Sequence, residues 1–343
     1  MTDAQGLLHQ VFGGLTAFAQ QHLAEHRQRQ ERLAALHDVI EQVVDASEPR
    51  IRLVGNYAEK LVDAVETALN YASRILRQLP PAILLNAHAW SQDAQVNAFF
   101  ATADDLRATL GEAPAIRAFF ADSAHEQCFA LMLMLRRESE TFGPVLRGDV
   151  LVREVRRIQV SFSRHRLFFP ASSEARLREE LKQRMLTFLA TRALEHINEL
   201  RARRSALEEQ RRQLQAQLRA LRGHAQGLHP LLSTDDADAR RAATLEQRLL
   251  QTEDQLVAAR KPLGTLDDYL EQIRQVLRQP EEYLQIRPLT LRLTRLGVKL
   301  PVDSPEPGET LALIEFDSLG EQRIGALVRF DRGDVPPAPP PPF

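Results

Sequence analysis

The chain has 343 residues, 44% hydrophobic and 26% charged but only 6% aromatic, with a formal net charge of −2. That length suits two domains, the scarcity of rings favours helix packing over a β-sandwich, and near neutrality excludes a global field that would recruit nucleic acid or an anionic membrane. The single cysteine, Cys128, excludes an intramolecular disulfide framework and a cysteine-based structural zinc site.

Residues 2–46 are predicted to form one long helix, because Leu7, Val11, Leu15, Phe18, Leu33, Leu36, Ile40 and Val43 recur mostly at three- and four-residue steps. Ser47, Glu48 and Pro49 break it, with Ser47 a candidate cap and Pro49 suited to a first turn. A second helix with the stripe Leu53, Tyr57, Leu61, Val65, Leu69, Ala72 and Leu76 follows to about Gln78, where Pro80-Pro81 stops it. Val96 to Ala101 (VNAFFA) is echoed at Ile116 to Ala121 (IRAFFA), which suggests two short helices bringing paired phenylalanines to one groove. The run Cys128 to Leu135 (CFALMLML) reads as a helix buried on most sides. It is also the longest apolar run and falls far short of the ~20 residues that span a bilayer.

From Gly148 the period becomes two: Ile158, Val160 and Phe162 alternate with polar residues, and Val150 and Val152 begin this strand or one before it. Ser172, Ser173 and Glu174 then open a long helix. Leu200, Leu207, Leu214 and Leu221 fall seven apart, with Leu218 at the companion position, and Leu245, Leu249, Leu256 and Leu263 return the stripe after a turn between Gly223 and Leu232. This is the pattern of an antiparallel coiled-coil hairpin over 172–263. Thr265 and Asp268 form a capping box for one further helix ending by Pro280. Strands follow around Leu289–Leu293, Thr310–Phe316 and Ile324–Phe330, giving a three- or four-stranded antiparallel sheet, and the economical arrangement joins these with the strands near 150–169 in one small sheet at the base of the hairpin. The end, VPPAPPPPF, reads as polyproline.

The expected fold class is therefore mainly α with a small antiparallel β module (α+β). Residues 1–146 would be a helical domain, 147–334 a small antiparallel β module carrying the inserted hairpin, and 335–343 a disordered proline-rich tail. Strand, hairpin and strand followed by Pro305 to Phe316 (PEPGETLALIEF) is similar to the periplasmic adaptor proteins of export pumps, over the second half only. The helical first half departs from that pattern, and the chain is not assigned to that family.

No acid, base, nucleophile and phosphate loop converge at a recognisable spacing, so no catalytic, cofactor-binding or metal residues are expected. His125 and Cys128, three apart, would share a helical face, but Cys128 leads an apolar run and reads as structural. Neither His88 with Trp90 nor His224 with His229 has a metal-ligand spacing. Arginines cluster as Arg201, Arg203, Arg204, Arg211, Arg212, Arg219 and Arg222, and again as Arg147, Arg153, Arg156, Arg157, Arg164 and Arg166. Such clusters contact phosphate, or else pair with acids such as Glu246, Glu253 and Asp254. No aromatic residue interleaves the run for base stacking.

These features suggest a non-enzymatic helical scaffold or interaction protein, a subunit of a larger bacterial cytoplasmic assembly. It would meet a protein partner or its own copies through the seam of Leu200, Leu207, Leu214, Leu218 and Leu221. The alternative is a polyanion binder, for nucleic acid or anionic lipid, acting through the arginines of positions 201–222. The cytoplasmic expectation rests on the lone cysteine and on the absence of a cationic, apolar leader in residues 1–10.

Overall fold

A computed structural model of the chain describes residues 31–122, 124–147, 150–226, 236–318 and 321–337. The fold is mixed α+β, 61% helical with a six-stranded sheet. The chain divides into two compact units, one of residues 1–68 and 187–279, the other of 69–186 and 280–343.

In the first unit, helix α1 (31–46) buries Ile40, Val43 and Val44. The remainder of the helix expected over 2–46 lies outside the described residues. Ser47 does not cap the next segment; its hydroxyl donates back to the Val43 carbonyl at 2.6 Å. Pro49 does open a turn, the short 3-10 helix Pro49–Leu53, whose fixed φ needs no donor there. Helix α2 (Tyr57–Gln78) starts after it, with Leu61, Ala64, Val65 and Ala68 on its buried stripe. Arg52 binds Glu41 and Asp45 of α1, and the Tyr57 hydroxyl donates to Glu41 at 2.6 Å.

The second unit is built on strands β1 (Ile83–Leu84), β2 (Gln127–Arg147), β3 (Val150–Ala171), β4 (Gln285–Leu293), β5 (Glu309–Ser318) and β6 (Glu321–Asp331). The order is β3-β2-β6-β5-β4, all antiparallel, while β1 adds parallel to β6 at Ile83–Val328 and Leu84–Arg329. The strands expected on either side of the long helices thus share one sheet, to which β1 and β2 also belong. The outermost two are also linked. The segment after β4 turns at Gly297, binds β3 through Val160 N to Gly297 O and Lys299 N to Ile158 O, each 2.8 Å, and binds β4 through Leu300 N to Arg292 O at 2.8 Å. This closes the ring of strands at that end and covers an edge that would otherwise be open to pairing. Gly297 is required twice over, with φ of +74° and a Cβ position only 2.8 Å from the Val160 carbonyl oxygen.

Cys128 to Leu135 is not a helix but the centre of β2. A continuous apolar run is ambiguous in period, and here both faces are covered: Cys128, Ala130, Met132 and Met134 join the main core, while Leu131 is buried on the opposite face with Leu327 and Ile314. Over the first face lie α3 (Ala87–Gln92), α4 (Ala94–Phe99), α5 (Ala103–Glu112) and α6 (Pro114–Asp122), whose starts are capped by Asn86, Asp93 and, for α5, a Thr102–Asp105 capping box. The repeated FFA segments end in that core. Phe99 meets Phe162 edge-on at 5.5 Å, and Phe120 meets Phe330 at 6.3 Å, each such ring contact adding about 0.5–1.5 kcal/mol beyond area burial.

Strand β3 carries one extra residue at each of three places, opposite Ala130, Met134 and Pro144 of β2. At each bulge a residue adopts positive φ: Phe169 (57°), Arg164 (54°) and Glu154 (58°). Each insertion reverses which parity faces the core. Val160 and Phe162 point inward before the Arg164 bulge, and Leu167 points inward after it. That is why the alternation legible at 158–162 disappears by 168.

Candidate interaction surface

The long helix α7 (Glu174–Gln226) spans 53 residues, about 80 Å at 1.5 Å per residue. Helices α8 (Asp236–Arg260) and α9 (Leu266–Arg278) follow it. From Thr187 onward these belong to the first unit. Thr265 caps α9 through the expected box, accepting from Asp268 N while the Asp268 carboxylate accepts from Thr265 N at 2.7 Å.

Leu189, Ala190, Ala193 and Ile197 of α7 are fully buried. Beyond them the seam is as spaced in the sequence: Leu207, Leu214 and Leu218 are buried, while Leu200 and Leu221 are half-buried. On α8 the buried positions are Thr252 and Leu256. Two ion pairs fix the relation of the helices, Glu208–Arg260 at 3.3 Å and Arg222–Glu246 at 2.8 Å. Fourteen residues forward along α7 correspond to fourteen residues back along α8, the relation that antiparallel helices in one register require. Leu221 and Leu245 line one hollow of about 570 Å³ between them. Of the five leucines, Leu207, Leu214 and Leu218 are thus withdrawn from solvent within this chain. What α8 leaves outward is a second stripe, Leu250 and Val257, seven apart and 64% and 70% exposed.

The arginines of the 201–222 run separate by partner. Arg204 pairs with Glu208 at 3.1 Å, Arg212 with Glu209 at 2.9 Å and Arg222 with Glu246, while Arg219 donates to the Gln215 carbonyl of its own helix. Arg203 is exposed, and Arg211 turns its Nε inward, where it is buried without a hydrogen-bond partner. Of the acids proposed from the sequence as partners on the returning helix, Glu246 serves that role; Glu208 and Glu209 of α7 supply others.

Arg201 does something the sequence did not announce. It binds Glu48, which is 6% exposed, and shares it with Arg50, whose Nε lies 2.8 Å from the carboxylate. Both guanidiniums lie over the ring of Tyr269, at 5.0 and 5.7 Å. Hydrogen bonds from Arg50 lead in holding the Glu48 carboxyl down at about 2, against desolvation and with Arg201 assisting. The cluster ties α7 to the 3-10 helix and α9. Residues this far apart in sequence gave no spacing from which to read it.

The remaining candidates disperse. His125 lies before β2 and Cys128 within it, so the shared helical face does not exist. Burial pushes the Cys128 thiol up to about 12, which leaves no thiolate at neutral pH. Trp90 uses its indole N–H on the Phe100 carbonyl at 2.9 Å, and the 224/229 histidine pair has its turn outside the described residues. Among the described residues no group of three or more metal-ligating side chains forms, and no helix is long and apolar enough to cross a membrane. In the second arginine cluster Arg156 pairs with Glu140 and Arg157 with Glu306. No family model, curated protein or solved structure matches this chain.

Proposed function

We propose that the protein is a non-enzymatic helical interaction protein, a subunit of a larger cytoplasmic assembly, whose α7–α8 pair packs as an antiparallel coiled coil and offers its outer stripe to a partner helix. The observation that carries this reading is the exposure of Leu250 and Val257 at heptad spacing on a helix whose inner stripe is already occupied. Apolar residues repeating every seven positions on a solvent face are the form a further helix would engage. Pairing of Arg201, Arg204, Arg212 and Arg222 with carboxylates favours this over binding of a polyanion, because each paired arginine has less to offer a phosphate.

The reading is tested by sedimentation and cross-linking of the chain in extracts of its native host, beside a Leu250→Asp/Val257→Asp double variant. The expected result is migration well above 38.8 kDa for the unaltered chain and a shift to the single-chain fraction for the variant, with matching circular dichroism. A single-chain species in both cases removes the proposal. Salt-sensitive retention on nucleic acid or anionic vesicles, lost at high salt, would support the arginine surface in its place.

A further inference from the structure

The outer stripe of α8 continues one heptad before Leu250. Ala243, Leu250 and Val257 recur every seventh residue and all three are exposed; at ~1.5 Å per residue they mark out about 21 Å of helix. Successive residues of an α-helix turn by about 100°, which sets Glu253 roughly 60° to one side of the Leu250 direction and Asp254 roughly 40° to the other. Two carboxylates therefore flank the stripe midway between Leu250 and Val257. Asp254 is exposed and Glu253 partly so. The ion pairs that join α8 to α7 use Glu246 and Arg260, and among the described residues neither Glu253 nor Asp254 enters one. Lys261, the first exposed lysine beyond Val257, lies past the end of α8 in a 3-10 turn.

These acids restrict what can dock. A second copy of α8, parallel or antiparallel, could stack its own Leu250 and Val257 on this stripe. In either orientation its Glu253 and Asp254 would then meet the same two acids, because they lie within the interval that the apolar residues define. Four carboxylates would gather at the centre of the contact, and like charges so placed oppose association. A helix with lysine or arginine in that interval meets the opposite condition. Charges flanking an apolar seam choose the partner and its orientation, and opposite charges also speed the encounter.

We infer, resting on the outer-stripe reading above, that the partner of α8 is a basic amphipathic helix of another protein. Its apolar residues, at heptad spacing, seat on Leu250 and Val257, and lysine or arginine between them stands opposite Glu253 and Asp254. Small Ala243 lets such a helix approach closely at the other end of the stripe. Glu253 and Asp254, which the sequence offers as partners for the arginines of α7, thereby serve a helix outside the chain.

The test uses two fluorescent helical peptides, three heptads long with leucine at every seventh position, alike except that one carries lysine and the other glutamate midway between leucines. Each is titrated by anisotropy against the purified full chain at low ionic strength, where charge pairing is least screened. The lysine peptide should bind at least tenfold more tightly than the glutamate peptide. A Glu253→Lys/Asp254→Lys chain should reverse that preference, and Glu253→Gln/Asp254→Asn should abolish it. Leu250→Ser/Val257→Ser, with the acids intact, should weaken the lysine peptide at least tenfold, which simple charge attraction would not. All these positions lie on the outer side of α8, and matching circular dichroism confirms the fold. Binding of neither peptide, equal affinity for both, an unreversed preference or indifference to Leu250→Ser/Val257→Ser would each overturn the proposal. So would a two-copy species of the purified chain that Leu250→Ser/Val257→Ser dissolves. If one of these results appears while the chain in native extract still migrates in a large species lost on Leu250→Asp/Val257→Asp, the partner's chemistry alone is wrong; a single-chain species in the extract removes the outer-stripe reading as well.

Discussion

Individual residues explain how a sheet this curved holds together. Gly325 of β6 sits under the Phe316 ring and the Leu133 side chain, where a Cβ would lie 2.6 and 3.1 Å from their atoms. Gly325→Val must displace the half-buried Phe316 ring or the strand itself, and overpacking of this kind costs about 1–3 kcal/mol. Chemical denaturation should show that loss with an unchanged m-value; stability equal to that of the unaltered chain would show that Phe316 moves aside freely. No sequence pattern marks Gly325 apart from Gly308 or Gly333, because the need for a missing side chain arises from Phe316 and Leu133, residues of neighbouring strands.

At the scale of elements, α8 has two stripes that the sequence presents alike. Leu256 is buried and Leu245 and Leu249 are half-buried, whereas Leu250 and Val257 face solvent, and all are seam positions by spacing alone. Their energetic roles separate cleanly. Leu218→Ala, on the buried stripe of α7, should destabilise the protein by about 2–4 kcal/mol through lost burial and the cavity left behind, while Leu250→Ala should stay within about 0.5 kcal/mol. Thermal or urea unfolding of the purified chain would distinguish them, and equal losses would mean that the stripes are misassigned. The β2–β3 pair is the complementary case: its alternation is legible only between bulges, so Ile158–Phe162 reads as strand and the segment from Arg164 to Pro170 does not.

For the molecule as a whole, each unit carries its own acid-sensitive group. His165 of the second unit stacks on Phe100 at 4.5 Å with a buried Nε2 lacking a hydrogen-bond partner, and desolvation holds its pKa below the ordinary 6.5. The native state then favours neutral imidazole, so its contribution is complete above pH 6.5 and declines as pH falls below that value. Glu48 of the first unit, lowered from 4.5 to about 2, contributes fully above pH 4.5 and is lost between there and about 2. Hydrogen exchange across an acid series, corrected for intrinsic rates, should therefore show protection falling in the second unit before the first. His165→Phe should suppress the earlier phase, and Glu48→Gln should flatten the later one. Simultaneous loss from pH 6.5 in both units would contradict these assignments.

By itself the sequence determined the helices α2, α7, α8 and α9, the breaks at Pro49 and Pro80-Pro81, the Thr265 cap, the seven-residue spacing of the leucines from Leu200 to Leu221 and four strands of the sheet. Each depends on residues within a few positions of one another, where periodicity and capping act. Tertiary structure alone decided that Cys128–Leu135 is a strand, that Gly297 helps link the sheet's outermost strands, that Glu48 gathers Arg50 and Arg201, and that Leu207, Leu214 and Leu218 are buried within their own chain while Leu250 and Val257 are exposed. Those outcomes depend on partners far away in sequence, 153 positions between Glu48 and Arg201 and 202 between Cys128 and Phe330, and a local pattern cannot specify which of two apolar surfaces a distant segment will cover.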